Sequence, residues 1–325
     1  MSCRPIVLLP GQGCQFYRMG EDLYRRHAVF RWHLDRASEV AFSWTGVHFK
    51  DFLYGPEARL RLPFSRTSIS HPLVYSLHFA LVKALLADGL EAAGWLGYSL
   101  GELTACALAE MIAFEDGVVL AARIGRWAEE NTPPRGMMSV LGSLDLRFQH
   151  FPWFEEFDVA CQNYEGHFVL TGNDAQLSKL RVFLASEGVI CERLPIERGF
   201  HSSALDSIGF LITEFMRNIP LRAGKQPVYS CCIQKEIRLE HLRDEHVWRV
   251  HRDPVRYDLL IRALERDFSP VYLDASVTGT LAALLRKIVG RSQFHRIHAA
   301  LNQFQGSNDC FRHLHGLVLP NKSRK

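Results

Sequence analysis

The sequence GYSLG at residues 97–101 constrains this chain more than any other segment. It follows a short apolar run and precedes a predicted helix that starts near Leu100. Two glycines around a serine at this spacing permit a sharp strand-to-helix turn that exposes the Ser99 hydroxyl. The N–H group of Leu100, at the start of the helix, can then stabilise an oxyanion. The five letters also occur by chance, but their position between a strand and a helix predicts a nucleophilic serine.

Predicted strands and helices alternate over residues 1–132. Residues 5–9 and 95–96 are apolar runs that end in glycine-containing turns, which is typical of buried strands. Leucines recur every four positions from residue 73, which predicts an amphipathic helix over 73–90, and a second helix is predicted over 116–130. This alternation predicts an α/β-hydrolase-like large domain with a parallel sheet.

The sequence NTPPRG at residues 131–136 interrupts this domain. Over residues 133–197 the predicted order is strand, helix, strand, strand, helix, strand, with the first helix at 145–154. That order is typical of a ferredoxin-like unit, here inserted as a small domain. We predict that the large domain resumes over residues 198–290 and that residues 291–325 form a C-terminal helix and tail.

Charge and cysteine usage narrow the range of functions. The 38 Lys and Arg against 35 Asp and Glu give a net charge of +3, which does not favour nucleic acid as a partner. No apolar run reaches the roughly 18 residues of a membrane span, and the run at 6–9 is too short for a signal peptide. None of the eight cysteines forms a C-x-x-C pair, so we expect free thiols and a cytoplasmic protein.

A serine hydroxyl needs a base to become nucleophilic, and 15 histidines are candidates. His201 is the best placed, because the sequence GFHS at 199–202 lies where the chain re-enters the large domain. A second group of histidines lies near the C-terminus. A metal site there is the alternative, but no cysteine or carboxylate stands at ligand spacing, so we predict no metal; the group comprises His295, His298, His313 and His315.

Three segments together resemble one family: GQGCQ at 11–15, GYSLGE at 97–102 and GFHS at 199–202. They are similar to the acyltransferases that include malonyl-CoA:acyl carrier protein transacylases and polyketide synthase acyltransferases, and the resemblance covers residues 5 to about 290. It implies an acyl ester on Ser99, with His201 as general base and then general acid. It also implies an oxyanion hole formed by the N–H groups of Gln12 and Leu100. The position that orients the base falls on Val250, whose side chain accepts no hydrogen bond but whose carbonyl can.

The chain departs from malonyl-specific relatives at the position of their carboxylate-binding arginine, which falls on Ile124. Arg123 is adjacent, but one helical step rotates a side chain by about 100°, so it should point elsewhere. A one-residue shift in the alignment is the alternative. Two further departures are Tyr98, where relatives carry histidine, and His71, where relatives carry glutamine. The predicted substrate-binding residues are Tyr98, Ile124, His71, Asn163 and Phe200.

With the sequence GYSLGE and no arginine at position 124, the chain resembles the acyl hydrolase branch of this family, which is found beside trans-acyltransferase polyketide synthases. The resemblance implies hydrolysis of acyl groups on the phosphopantetheine arm of an acyl carrier protein, with no bound cofactor. The alternatives are transfer of a non-malonyl or malonyl group from acyl-CoA to a carrier protein, and a catalytically inactive docking protein. Because carrier proteins are acidic, basic residues could form the docking surface; the candidates are Arg59, Arg61, Arg66, Arg252 and Arg256.

Overall fold

The computed structural model describes residues 4–58, 64–143, 154–243 and 245–301. A six-stranded sheet forms the centre of the larger part. Its strands are parallel except for β8 at one edge. In pairing order they are β11 (Ile297–Ala299), β10 (Tyr272–Asp274), β1 (Ile6–Leu9), β2 (Gly94–Gly97), β7 (Val228–Ser230) and β8 (Lys235–Glu236).

The two central strands, β1 and β2, are buried along their whole length. This explains why they are apolar runs without polar alternation, as in parallel sheets covered on both faces. They pair in parallel with Leu9 opposite Gly97, so their carboxyl ends lie side by side. The turns that follow β1 and β2 therefore meet at the same edge of the sheet, as expected for a ligand site in this fold class.

All but one of the described helices belong to this larger part, and the one at Asp174–Ser186 packs against the second sheet described below. In chain order they are α1 (Glu21–Arg26), α2 (Ala28–Thr45), α3 (Phe49–Tyr54), α4 (Thr67–Ala87), α5 (Gly101–Leu108), α6 (Phe114–Asn131), α7 (Asp174–Ser186), α8 (Gly209–Met216), α9 (Leu239–Arg243), α10 (His246–Arg252), α11 (Tyr257–Asp267) and α12 (Thr280–Ile288). Helix α4 starts six residues before the predicted position and contains Pro72. By length and hydropathy α4 could cross a membrane, but 89% of its most apolar window is buried inside the fold, as expected for a core helix.

A second sheet has five strands with its own apolar core against α7. Its pairing order is β6 (Ile190–Arg193), β3 (Gly136–Leu141), β5 (His167–Gly172), β4 (Asp158–Tyr164) and β9 (Val255–Arg256). The first four strands pair antiparallel. Numbered along the chain within this unit, their order is 4-1-3-2, which is the order of a ferredoxin-like unit. The predicted α/β class is confirmed. Most of the predicted helix at 145–154 lies outside the described residues.

Two features depart from the predicted boundaries. The large sheet continues beyond residue 290, because β11 pairs in parallel with β10 and forms the edge of the sheet. The predicted C-terminal helix and tail are therefore partly wrong: residues 291–301 form a short 3-10 helix, Arg291–Arg296, and this strand, while residues 302–325 lie outside the described residues. Strand β9, from the second part of the large domain, pairs in parallel with β4 of the small sheet.

Candidate active site

Ser99 lies on a tight turn between β2 and α5, with a φ angle of 54° in the left-handed region. Both flanking glycines are required by crowding. A Cβ on Gly97 would lie 2.2 Å from the Glu102 Cα, and one on Gly101 would lie 2.0 Å from the Leu9 carbonyl oxygen. Side chains cannot fit at such distances, so the two glycines hold Ser99 in the strained conformation of a nucleophile elbow.

The turn after β1 approaches the same serine. A Cβ on Gly11 would lie 2.9 Å from the Ser99 Cβ, so glycine is needed for this approach. The side-chain amide of Gln12 donates to Ser70 Oγ at 2.6 Å, which fixes the turn against α4. Within the described part of the chain, the N–H groups of Gln12 and Leu100 make no hydrogen bond. Both N–H groups are therefore available to an oxyanion formed at Ser99.

His201 contacts Ser99 directly: its Nε2 lies 2.7 Å from the serine Oγ. The other ring nitrogen, Nδ1, lies 2.8 Å from the backbone carbonyl oxygen of Asp253. Since a carbonyl only accepts, Nδ1 carries the proton and Nε2 presents a lone pair to the serine hydroxyl. The His201 N–H also donates to the His251 carbonyl at 2.8 Å, which anchors the backbone of this residue.

Burial lowers the pKa of His201 from its ordinary value to about 4, because the charged imidazolium loses hydration. The hydrogen bond to Asp253 opposes this shift, and the nearby His251 adds to it. At neutral pH the imidazole is therefore uncharged and able to accept the proton of Ser99, as a general base must.

The prediction that Val250 orients the base was wrong, since the carbonyl that accepts from His201 belongs to Asp253. Val250 lies inside α10 and is buried. Asp253 follows the helix and precedes Pro254, which restricts it to an extended conformation, here φ −81° and ψ 154°. Its carbonyl is therefore free of the helix, and the dipeptide Asp-Pro was the signal that sequence reasoning missed.

Tyr98 and Asn163 lie in one polar network that joins the elbow to the small sheet. The Tyr98 hydroxyl donates to Asn163 Oδ1 at 2.8 Å, and the Asn163 amide lies 2.9 Å from His167 Nδ1. His167 Nε2 lies 2.7 Å from Ser139 Oγ. Burial raises the pKa of Tyr98 well above its ordinary value and lowers that of His167 to about 4. Both groups are therefore neutral at physiological pH.

Ile124 is fully buried in the main core, and its neighbour Arg123 points in a different direction. The guanidinium of Arg123 lies 4.3 Å from the ring centroid of Trp44 and 4.5 Å from that of Phe215. Cation–π contacts with these rings hold the positive charge in an aromatic enclosure. The rotation expected between neighbouring helical positions is thus visible in the structure.

His71 and Phe200 pack against each other beside the base. Their rings stack with centroids 4.8 Å apart and an interplanar angle of 21°. His71 is 1% exposed, and neither of its ring nitrogens has a hydrogen-bond partner among the described residues. Phe200 directly precedes His201 in the chain.

Glu102 ends the GYSLGE segment, and the sequence analysis assigned it no role. The structure shows that it joins two parts of the site. Its Oε2 lies 3.1 Å from His246 Nε2, and its Oε1 accepts from the Cys232 N–H at 3.0 Å. The Glu102 and His246 side chains are almost fully buried. This pair holds α5, the helix that follows Ser99, against α10, which carries the chain to Asp253.

The predicted docking arginines differ in their surroundings. Arg252 forms an ion pair with Asp206, and Arg256 forms one with Asp258 at 2.9 Å. Arg66 is exposed and donates to Ser68 Oγ at 3.2 Å. Arg59 and Arg61, like the histidines at 313 and 315, lie outside the described residues. Within the described ranges no group of three or more His, Cys, Asp or Glu side chains is arranged to hold a metal ion.

Comparison with known proteins gives consistent results. The acyl transferase domain family matches residues 7–299. The polyketide biosynthesis acyltransferase homolog BaeD of Bacillus velezensis is 28% identical over 324 residues, which is 99% of each protein. The polyketide biosynthesis protein ThaF of Burkholderia thailandensis is 33% identical over 91% of this chain, but the chain spans only 26% of ThaF. A loading acyltransferase from the avermectin modular polyketide synthase superposes with a TM-score of 0.85 at 21% identity, covering 95% of this chain and 97% of that one.

Proposed function

Since the chain belongs to the acyl transferase domain family, we propose that it is a serine acyl hydrolase that releases stalled or incorrect acyl groups from carrier proteins of a polyketide synthase. Its substrates would be acyl thioesters on the phosphopantetheine arm. The proposal includes a cytoplasmic location and no bound cofactor. The similarity to BaeD, which is named for polyketide biosynthesis and aligns over 99% of both proteins, supports the polyketide setting.

The surroundings of residues 123 and 124 support the part of the proposal that concerns the acyl group. Ile124 is 0% exposed, and Arg123 is held between Trp44 and Phe215. A malonyl carboxylate at Ile124 would find an apolar side chain in place of a guanidinium. Leaving a buried carboxylate unpaired costs about 3–5 kcal/mol, which is about two to three and a half decades in rate. An uncharged acyl chain carries no such cost, so the site favours it.

The first half of the proposed reaction forms the ester on Ser99. The Oγ attacks the thioester carbonyl while His201 Nε2 accepts the hydroxyl proton. The N–H groups of Gln12 and Leu100 stabilise the oxyanion of the tetrahedral intermediate. When this collapses, the carbon–sulfur bond breaks and the imidazolium returns the proton to the departing thiolate. The Asp253 carbonyl keeps the ring oriented throughout.

The second half removes the acyl group. Water attacks the ester carbonyl, and His201 Nε2 accepts one of its protons. Collapse of the second tetrahedral intermediate breaks the bond to Ser99 Oγ, which takes the proton back from the imidazolium. The free acid leaves, and the serine and the neutral histidine are restored.

Acyl transfer is the second candidate, and the family itself favours it. The matched domain is named for acyl transfer, and BaeD is named an acyltransferase homolog. In this case a carrier-protein thiol in place of water would attack the Ser99 ester. The same base and oxyanion donors would serve both reactions, so the acceptor has to be identified by experiment.

The test uses carrier proteins loaded with butyryl or malonyl groups, together with an unloaded holo carrier protein of different mass. Mass spectrometry follows free acid and acyl transfer in the same reaction, with Ser99→Ala as the inactive control. We expect free acid as the main product, formed from butyryl at least about a hundred times faster than from malonyl. Malonyl released fastest, or transfer exceeding hydrolysis, would count against the hydrolase.

Docking of the carrier protein is proposed to involve Arg66, which is exposed near the start of α4. Charge pairing with an acidic partner weakens as salt screens it. The affinity for a carrier protein should therefore fall between low and high ionic strength, and Arg66→Glu should weaken it further. An affinity independent of salt would argue against a charged interface.

A further inference from the structure

His71 is the most conspicuous polar side chain that the proposed reaction does not use. It is 1% exposed, and both ring nitrogens lack a hydrogen-bond partner among the described residues. A neutral imidazole carries one N–H donor and one lone pair, and buried polar groups are normally paired. The ring is therefore suited to bind a polar group that enters the site.

The position of His71 connects it to the reacting serine. Its ring stacks on Phe200, which precedes the base His201. Its chain neighbour Ser70 accepts from the side chain of Gln12, in the turn whose glycine approaches Ser99. His71 thus lies beside the base and close to the turn that carries Gln12, one of the proposed oxyanion donors. A substituent close to the ester carbonyl is the part of an acyl group within its reach.

His71 and Ile124 lie on two helices, α4 and α6, that pack closely against each other. A Cβ on Gly125 would lie 2.6 Å from the Thr67 carbonyl, so the backbones of α4 and α6 approach closely there. His71 is one helical turn beyond Thr67, and Ile124 precedes Gly125. The acyl group would therefore meet both the polar ring of His71 and the apolar side chain of Ile124.

The ring is uncharged. Burial lowers the pKa of His71 well below its ordinary value, and the neighbouring His251 and His201 lower it further. A neutral imidazole pairs well with a hydroxyl or keto oxygen but does not compensate the charge of a carboxylate. This agrees with the absence of an arginine at position 124.

We propose that His71 hydrogen-bonds a hydroxyl or keto oxygen on the β-carbon of the acyl group, so that the preferred substrates are short β-oxygenated acyl thioesters. The inference rests on the proposed acyl ester at Ser99. It concerns the rate at which that ester forms and is independent of whether water or a thiol removes it. His71 is then a specificity residue that touches the substrate.

The experiment compares 3-hydroxybutyryl and butyryl thioesters, which have equal chain length. Intact-protein mass spectrometry after rapid quenching gives kcat/KM for acylation of Ser99 in the full chain. We expect the wild type to prefer 3-hydroxybutyryl by about tenfold or more. In His71→Leu this ratio should fall to about one, and His71→Gln should retain part of it because the amide still donates.

The matched control is His33→Leu. His33 also has a buried ring nitrogen without a partner among the described residues, and it packs edge-on against Phe79 and Phe114. This variant should keep the wild-type ratio, since its ring makes no contact with Phe200. Thermal melts identify a variant that fails to fold, and His71→Gln then replaces His71→Leu.

Two outcomes would overturn the inference: a wild-type preference for butyryl, or an unchanged ratio in the folded His71 variant. The product analysis is separate. A lost preference in the His71 variant together with acyl transfer would keep this inference and reject the hydrolase. Release of free acid together with an unchanged ratio of 3-hydroxybutyryl to butyryl acylation would keep the hydrolase and reject this inference.

Discussion

Replacement of Ile124 by arginine tests the physical basis of substrate choice. Ile124 is fully buried, and the existing positive charge of Arg123 is held by Trp44 and Phe215. In Ile124→Arg a guanidinium would stand where a malonyl carboxylate can pair with it. Removing the penalty of about 3–5 kcal/mol for an unpaired carboxylate should raise kcat/KM for malonyl by about two to three and a half decades.

The same substitution buries an unpaired guanidinium when no malonyl is bound. Butyryl activity and the free energy of unfolding should therefore both fall, while malonyl activity rises. Ile124→Met, which nearly conserves volume, is the control and should leave the ratio of malonyl to butyryl unchanged. Acylation of Ser99 by each thioester gives the ratio. A folded Ile124→Arg protein without increased malonyl activity would refute the assignment of this position to the acyl pocket.

Three further predictions follow from the geometry. Burial lowers the pKa of His201 to about 4, and the base must be neutral to act, so kcat/KM should stay level from pH 7 to about 5 and decline only below that. The measurement is kcat/KM in a series of buffers across this pH range. A decline with its midpoint near pH 6.5 would contradict the prediction. Gly11→Ala places a Cβ 2.9 Å from the Ser99 Cβ and should lower kcat by about a hundredfold. Circular dichroism should show that the variant is still folded. A decrease in kcat of less than about twofold would show that the turn can move. Glu102→Leu leaves His246 unpaired and should cost about 3 kcal/mol in urea unfolding, whereas an unchanged midpoint would mean that the pair contributes nothing net.

The sequence was most informative where function depends on local backbone geometry. The serine between Gly97 and Gly101 could be predicted because glycine is needed wherever backbone atoms crowd. The structure shows this crowding at both positions. His201 could be predicted from its place after the insert, and it lies 2.7 Å from the serine. Both predictions depend on short segments that stand out in the sequence.

Other parts could not be predicted because their signals are weak or distant. Helix α1 begins after Gly20, and its N-cap makes no side-chain hydrogen bond. Helix α2 is capped by His27, which accepts from the Phe30 N–H and is not among the usual capping residues. The β9 strand has two residues, and each pairs with a residue of β4 that lies 94 positions earlier, which no local pattern reveals.

The network from Tyr98 to Ser139 shows why the substrate pocket was the hardest part to assign. Tyr98 is part of the elbow, whereas Asn163 and His167 belong to strands of the small sheet. Each hydrogen bond has one chemically consistent direction: the tyrosine donates to the asparagine, whose amide donates to His167 Nδ1, which leaves Nε2 to donate to Ser139. Phenylalanine at position 98 would break the first link and leave Asn163 Oδ1 unpaired. The small sheet therefore takes part in positioning the residue next to the nucleophile, and this coupling depends on residues more than 60 positions apart in the chain.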